Sequence, residues 1–127
     1  MPLIRIDVLP GHTPDQLRAI AEGVHNALVE AIGVPQADRF QVISQHAIGS
    51  LIFDPQYVGI SRTTGVVFVQ ITLSVGRTLE QKRTLFETIA RNLNTHAGVH
   101  AGDVFINLVE VVKENWSFGN GIAQYAA

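Results

Sequence analysis

Apolar and polar positions along the chain predict a strand, a helix and a second strand in its first third. Residues 3–9 and 40–45 are apolar-rich runs of strand length. Between them, apolar residues recur at helical spacing and would form one buried stripe: Leu17, Ile20, Ala21, Val24, Leu28 and Ala31. This strand–helix–strand unit spans about residues 2–47.

The same order of elements returns in the second half of the chain. Residues 65–74 and 104–112 predict two further strands. The helix between them has its own apolar stripe: Phe86, Ile89, Ala90, Leu93 and Ala97. This second unit spans about residues 65–112, and a tail of residues 113–127 follows it.

Positions 65 residues apart carry matching residues, which indicates that the two units are an internal duplication. Thr13 and Gln16 form a capping box at the start of the first helix, and Thr78 and Gln81 repeat it. Further matches are Arg18 with Arg83, Gly33-Val34 with Gly98-Val99, Asp38 with Asp103, and Phe40 with Phe105. The two glycines are in the right place to end the two helices.

The duplicated β-α-β pattern predicts an α+β fold. Connections of helix length make the two strands of each unit parallel, with right-handed crossovers. Because each helix has a single apolar stripe, both helices would cover one face of a four-stranded sheet. Residues 66–69 are apolar on both sides of their strand, so the opposite face also needs cover, and a partner subunit is the natural one. Residues 48–63 predict a loop with a short strand at Leu51 to Phe53.

Composition narrows the class of protein. The 127 residues are 46% apolar and 16% charged, which predicts one domain, residues 1–127, with a sizeable core. A net charge of −2 without a long basic run argues against nucleic acid or a membrane surface as the partner. The N-terminal segment lacks the basic start and long apolar region of a secretion signal, so a cytoplasmic location is predicted.

Metal and cofactor chemistry is not predicted. The chain has no cysteine, which excludes disulfides, thiolate nucleophiles and thiolate zinc sites. His96 and His100 are four residues apart, but Gly98 between them is expected to end the helix that would place them on one face. The chain also has no glycine-rich phosphate loop.

The residue best suited to catalysis is Pro2, directly after the initiator methionine. If Met1 is removed, the chain begins with a secondary amine attached to a strand that enters the core. An ordinary α-amino group has a pKa near ~8, and burial lowers the pKa of a cationic group. Such an amine could act near neutral pH as a general base or, when protonated, as a general acid.

Further residues could complete a site around this amine. Arg77 lies between the third strand and the second helix, where its guanidinium could bind a substrate carboxylate with two hydrogen bonds. Asp38 precedes the second strand and could hydrogen-bond a water or the substrate, or could cap a turn like its match Asp103. Aromatic residues of the tail could form the wall of an apolar pocket: Trp116, Phe118 and Tyr125.

With these residues the sequence resembles the tautomerase superfamily, and within it the malonate semialdehyde decarboxylase-like branch. The resemblance covers nearly the whole chain and rests on six segments in a fixed order: Met1-Pro2-Leu3-Ile4, Gly33-Val34-Pro35, Asp38-Arg39-Phe40-Gln41, Ser44-Gln45-His46, Ser74-Val75-Gly76-Arg77-Thr78 and Glu114-Asn115-Trp116-Ser117-Phe118-Gly119-Asn120-Gly121. It implies a duplicated β-α-β fold, a homotrimer and a catalytic N-terminal proline.

The resemblance also assigns residues to roles. Those that fall on the branch's catalytic positions are Pro2, Asp38 and Arg77, and those on its pocket-lining tail are Trp116, Phe118 and Tyr125. The better-known decarboxylases carry a second arginine two residues before the one matched by Arg77, where this chain has Val75. A second group within the branch manages with a single arginine, and this sequence looks closer to that group.

The expected activity is decarboxylation of malonate semialdehyde or a similar 3-oxo acid, with keto–enol tautomerisation as a side activity. The alternatives are a tautomerase of 2-oxo acids of the phenylpyruvate type, hydration of an unsaturated acid with Asp38 positioning the water, and a trimeric binding or signalling protein without catalysis. Decarboxylation requires a protonated Pro2 or its iminium, whereas tautomerisation requires a neutral Pro2. The sequence leaves this choice open.

Overall fold

The computed structural model describes residues 2–126, and the expected removal of Met1 concerns a residue outside that range. Four strands and two long helices follow one another in this part of the chain: β1 (Leu3–Val8), α1 (Pro14–Ile32), β2 (Phe40–Gln45), β3 (Val67–Ser74), α2 (Leu79–Ala97) and β4 (Val104–Val111). Single 3-10 turns lie at Tyr57–Gly59, Ala101–Asp103 and Lys113–Asn115. None of the helices in this described part is long and apolar enough to cross a membrane.

The strands form one sheet in the order β2-β1-β3-β4, which confirms the predicted β-α-β duplication. Strands β1 and β2 are parallel, as are β3 and β4, and the two units meet where β1 pairs antiparallel with β3. Leu3 is opposite Phe40 on one side and Thr72 on the other. This register places the start of β1 beside the start of β2 and the end of β3.

Both helices begin and end as their sequences predict. At α1, the Thr13 side chain accepts a hydrogen bond from the Gln16 backbone at 3.1 Å, and the Gln16 side chain accepts one from the Thr13 backbone at 2.9 Å. Thr78 and Gln81 repeat this arrangement at α2, at 3.2 and 2.9 Å. Gly33 and Gly98 follow the helices in the left-handed conformation that glycine adopts most readily.

The core lies between the helices and one face of the sheet. On β1 the alternate residues Ile4, Ile6 and Val8 are fully buried. The predicted stripe of α1 is confirmed, since its residues belong to this core. On α2 the predicted inclusion of Phe86 is wrong: Phe86 is 36% exposed and Leu85 is buried instead. Residues 85, 89 and 93 are four apart and lie along one line of the helix, and the next residue, 86, is about 100° around it.

The predicted strand at Leu51 to Phe53 is absent, because the loop folds back on itself. Leu51 is buried in a small cluster with Leu9 and Val66. The Arg62 guanidinium donates from Nη1 to three carbonyl oxygens of its own loop, those of Asp54 (3.3 Å), Tyr57 (3.0 Å) and Ile60 (3.2 Å). These hydrogen bonds hold residues 54–62 in a turned conformation directly after the predicted strand.

The face of the sheet opposite the helices carries apolar side chains that remain partly exposed in the single chain. Phe40 and Phe105 are each 49% exposed, and Val42 and Val109 are exposed to a similar extent. Phe105 packs against Phe68 on the neighbouring strand, with ring centroids 5.2 Å apart. A sheet face of this composition is suited to packing against another copy of the chain.

A buried carboxylate links the loop before β3 to the turn before β4. Asp103 is 3% exposed and accepts hydrogen bonds from the Thr63 backbone and hydroxyl, both at 2.6 Å.

We expect Asp103→Ala to lower the free energy of unfolding by about 2 to 3 kcal/mol, because it leaves buried donors unpaired. Urea unfolding measures the change. Asp15→Ala, which removes an exposed carboxylate, is the control and is expected to change it by less than about 0.5 kcal/mol. A loss for Asp103→Ala no larger than that of the control would contradict the assignment.

Candidate active site

The candidate site lies at the end of the sheet where β1 and β2 begin and β3 ends. Pro2 directly precedes β1, Asp38 lies two residues before β2, and Arg77 lies three residues after β3. Because Leu3 is aligned with both Phe40 and Thr72, the strand register brings these three chain segments to the same edge of the sheet. The three predicted catalytic residues, 36 to 75 positions apart in sequence, therefore belong to one end of the fold.

Pro2 is buried and lines a mainly apolar cavity of about 240 Å³. The other lining residues are Leu3, Phe40, Trp116, Ser117 and Phe118. Two of the three predicted tail aromatics, Trp116 and Phe118, thus form part of the wall around Pro2. The cavity is large enough for a small organic acid and holds few groups that would solvate a charge.

The tail is held in place by a set of aromatic contacts. The Trp116 and Phe118 rings stack at a centroid distance of 5.8 Å, with their planes 4° apart. Tyr125 does not line the Pro2 cavity and instead packs edge-on against Phe118 at 4.9 Å. Phe118 also lies 6.2 Å from the Phe40 ring on β2. These contacts close the tail over the end of the sheet and so complete the cavity wall.

Ser74, the last residue of β3, connects this wall to Arg77. The Trp116 indole donates from Nε1 to Ser74 Oγ at 3.1 Å, and Arg77 donates from Nη1 to the Ser74 carbonyl oxygen at 3.0 Å. Ser74 is 1% exposed. Sequence reasoning missed this residue; the signal for it was a serine at the end of an apolar strand, directly before Val75-Gly76-Arg77. Gly76 has φ of 130°, a conformation that favours glycine, so the chain can turn between Ser74 and Arg77.

Arg77 lines a second, more polar cavity of about 300 Å³. Its other lining residues are Ser74, Val75, Gly76, Gln81 and Lys113. Ser74 lines this cavity and Trp116 lines the Pro2 cavity, so the hydrogen bond between their side chains marks the boundary between the two. The structure thus brings an apolar compartment and a basic compartment together at one end of the sheet.

Asp38 lies in the loop between α1 and β2 and lines neither of the two cavities. Its backbone N–H donates to the Pro35 carbonyl at 3.0 Å. The side chain is half-buried, whereas its counterpart in the second unit, Asp103, is buried against Thr63. The two matched aspartates therefore have different surroundings, although they occupy equivalent positions in the duplication.

Side chains of α1 anchor the loop that carries Asp38. Arg39 donates to Glu22 at 2.7 Å and to the Gln41 side chain at 2.9 Å, and His25 Nε2 contacts the Gln36 carbonyl at 2.8 Å. The hydrogen bond and the charge of Arg39 hold the pKa of Glu22 below its usual range. Glu22 therefore stays ionised at neutral pH, and this ion pair persists until the pH falls below the ordinary pKa of a glutamate.

His25 and His46 make contacts that are typical of structural residues rather than of a metal site. His25 is fully buried in α1, and His46 contacts Asp7 at 2.6 Å near the opposite end of the sheet. Gly98 ends α2 between His96 and His100, as predicted. Over residues 2–126, no group of three or more histidine, aspartate or glutamate side chains is arranged to hold a metal ion.

The duplicated β-α-β fold with a buried proline before its first strand is the arrangement that the resemblance to tautomerases implies. Sequence comparison identifies the same family. Two family models, both described as tautomerase enzyme, match residues 2–60 and 38–119. The chain is also 38% identical over 124 residues to the probable tautomerase YusQ of Bacillus subtilis, with 98% of each chain covered. The chain belongs to the tautomerase family of enzymes.

Within that family, solved structures of malonate semialdehyde decarboxylases are very similar to this chain. One, inhibited by 3-bromopropiolate, is 41% identical with a TM-score of 0.91, covering 97% of this chain and 93% of its own. Another, described with decarboxylase and hydratase activities, is 32% identical with the same TM-score, covering 97% and 95%. A fused 4-OT, described as a symmetric trimer, is 25% identical with a TM-score of 0.78 and 94% coverage of both chains.

Proposed function

We propose that this enzyme decarboxylates malonate semialdehyde or a similar 3-oxo acid, using Pro2 as an N-terminal amine after removal of Met1. Keto–enol tautomerisation is proposed as a side activity. The observation that carries the proposal is the burial of Pro2 in an aromatic-walled cavity that Ser74 joins to Arg77. The similarity to two malonate semialdehyde decarboxylases supports it.

In this proposal Arg77 binds the substrate carboxylate and Pro2 acts at the carbonyl group. A protonated Pro2 amine polarises the carbonyl oxygen, or the neutral amine condenses with the carbonyl carbon to an iminium and releases water. The bond between C2 and the carboxylate carbon then breaks, and its electron pair moves toward the polarised carbonyl or iminium. Carbon dioxide leaves, C2 takes up a proton, and acetaldehyde is released, after hydrolysis on the iminium route.

The remaining predicted residues have supporting roles. Trp116 and Phe118 exclude water from the Pro2 cavity, which disfavours the carboxylate charge that decarboxylation removes. Tyr125 supports this wall through its contact with Phe118. Asp38 is proposed to hydrogen-bond the substrate or a water at the same end of the sheet. The mechanism requires no metal or cofactor.

Tautomerisation of a 2-oxo acid of the phenylpyruvate type is the second candidate. It is favoured by the similarity to a probable tautomerase and by Val75, an uncharged residue in the wall of the Arg77 cavity. In this reaction a neutral Pro2 moves a proton between carbon and oxygen, and Arg77 again holds the carboxylate. The same residues thus serve both reactions, and Pro2 is in opposite protonation states when decarboxylation uses the protonated amine.

A homotrimer is proposed as the working assembly. The fused 4-OT of similar fold is described as a trimer, and the exposed apolar side chains opposite the helices are suited to burial between subunits. A single domain of residues 1–127 and a cytoplasmic location stay predictions from sequence.

The direct test is to measure the products formed from two substrates by the same purified enzyme. Malonate semialdehyde is supplied and acetaldehyde is measured with a coupled dehydrogenase, while phenylpyruvate ketonisation is followed by its ultraviolet absorbance. We expect acetaldehyde formation with the larger kcat/KM. Turnover of phenylpyruvate alone, by protein whose intact mass shows that Met1 is absent, would replace decarboxylation with tautomerisation as the function.

A further inference from the structure

We infer that Lys113 is a specificity-determining residue that binds the substrate carboxylate together with Arg77. This inference rests on the proposed function and adds a second cation to its binding site. Lys113 and Arg77 line the same cavity of about 300 Å³, and no carboxylate side chain is among its lining residues. Two positive charges facing one cavity without a counter-charge favour an anionic ligand.

Most of the Arg77 guanidinium is available for a ligand. One Nη1 N–H donates to the Ser74 carbonyl oxygen, and this is the single hydrogen bond of the Arg77 side chain within residues 2–126. A guanidinium has five N–H donors in a planar fork that matches the two oxygens of a carboxylate. The Ser74 bond therefore orients the Arg77 side chain and leaves donors for a substrate.

Backbone hydrogen bonds bring Lys113 to the wall of this cavity. The Val75 N–H donates to the Val111 carbonyl at 2.9 Å, which joins the segment leading to Arg77 to the end of β4. The chain then turns, and the Asn115 N–H donates to the Val112 carbonyl at 3.1 Å. Lys113 lies at the start of this turn, so its position relative to Arg77 is set by ordered backbone.

The carboxylate of β4 that is nearest to Lys113 in sequence already forms an ion pair with another lysine. Glu110 is paired with Lys82 of α2 at 2.9 Å. Among the described residues Lys113 itself has no ion pair, although it is an exposed lysine close to two acidic positions in sequence, Glu110 and Glu114. Its charge is therefore free to act on a ligand held by Arg77.

The same turn also positions the apolar wall. Trp116 lies three residues after Lys113, and its N–H donates to the Lys113 carbonyl at 3.4 Å. Its indole lines the Pro2 cavity and bonds Ser74, which lines the Arg77 cavity. A small oxo acid whose carboxylate lies between Arg77 and Lys113 would therefore place its carbon chain toward Trp116 and the Pro2 cavity.

The test compares steady-state kinetics of Lys113→Met with wild type on malonate semialdehyde. Methionine keeps the length of the side chain and removes its charge. We expect KM to rise about five-fold, with kcat changed by less than two-fold, because the lost contact is a partly solvated charge pair. Lys113→Arg should restore KM to within about two-fold. Arg83→Met, which removes an exposed arginine paired with Glu80 at 2.9 Å, is the matched control and should leave KM unchanged.

A second measurement separates this inference from the proposed function. Malonate, a non-reacting carboxylate, is titrated into wild type and Lys113→Met by calorimetry, and we expect about five-fold weaker binding by the variant. If wild type fails to form acetaldehyde but binds malonate in a Lys113-dependent manner, the proposed reaction fails and the carboxylate site stands. Unchanged KM and malonate affinity in a folded Lys113→Met protein would overturn the role of Lys113.

Discussion

Pro2→Ala is expected to lower kcat/KM for acetaldehyde formation by roughly 10²- to 10⁴-fold, the range that a positioned acid–base group contributes. The variant removes the secondary amine and leaves a primary amine on a smaller and more flexible residue. Pro2 is buried among Leu3, Phe40 and Trp116, so its ring also sets where the nitrogen lies. The loss should therefore fall mainly on kcat, because the carboxylate is bound elsewhere, by Arg77.

The matched control is Pro10→Ala, which changes an exposed proline after the other end of β1. It is expected to retain wild-type kinetics. Intact mass must show that Met1 is absent from wild type and from both variants, because a retained methionine turns the Pro2 nitrogen into an amide. Full activity in Pro2→Ala, or in wild type that keeps Met1, would remove Pro2 from the mechanism.

Arg77→Ala is expected to lower kcat/KM by roughly 10²-fold or more, since it removes the main partner of the substrate carboxylate. The effect should appear chiefly in KM, unlike that of Pro2→Ala. Arg77→Lys should recover only part of the loss, because an ammonium keeps the charge but lacks the planar pair of donors.

Stability measurements distinguish this effect from misfolding. Arg77 is partly exposed and makes a single side-chain hydrogen bond within the described chain, to the Ser74 carbonyl, so its loss should shift the thermal midpoint little. Arg91→Ala removes an exposed arginine that pairs with Glu30 at 3.3 Å and should behave as wild type in both assays. An Arg77→Ala enzyme with unchanged KM on the acid would show that the carboxylate binds elsewhere.

The elements of the fold could be predicted because their signals are local. The two capping boxes and the two closing glycines mark the ends of the helices within a few residues, and the observed ends at Ile32 and Ala97 agree with them. Strand pairing within each unit followed from the length of the crossover. The errors concern residues whose environment depends on distant parts of the chain: Phe86 lies just beside the buried line, and Leu51 is buried by Leu9 and Val66 rather than by a strand partner.

The candidate site was predictable in part. Pro2, Asp38 and Arg77 could be named from sequence because each lies next to a predicted strand end and matches a position of the family that the sequence resembles. Parallel pairing of β1 with β2 brings Pro2 and Asp38 to one end of the sheet, and antiparallel pairing of β1 with β3 adds Arg77. Ser74 could not be assigned a role, because Trp116, whose indole donates to the Ser74 hydroxyl, lies 42 residues further along the chain. Lys113 was missed for a similar reason, since its sequence neighbours give no sign that it shares a cavity with Arg77.

The sequence by itself determined the duplicated β-α-β order, the ends of both helices, the family resemblance and the choice of Pro2, because each depends on residue types at short or fixed spacing. The tertiary structure alone decided how the tail folds over the sheet, that Trp116 and Arg77 meet at Ser74, and that an apolar and a basic cavity lie side by side. Apart from the Arg77–Ser74 hydrogen bond, these contacts join residues far apart in sequence. Their geometry is set by strand register and side-chain packing, which no local pattern encodes.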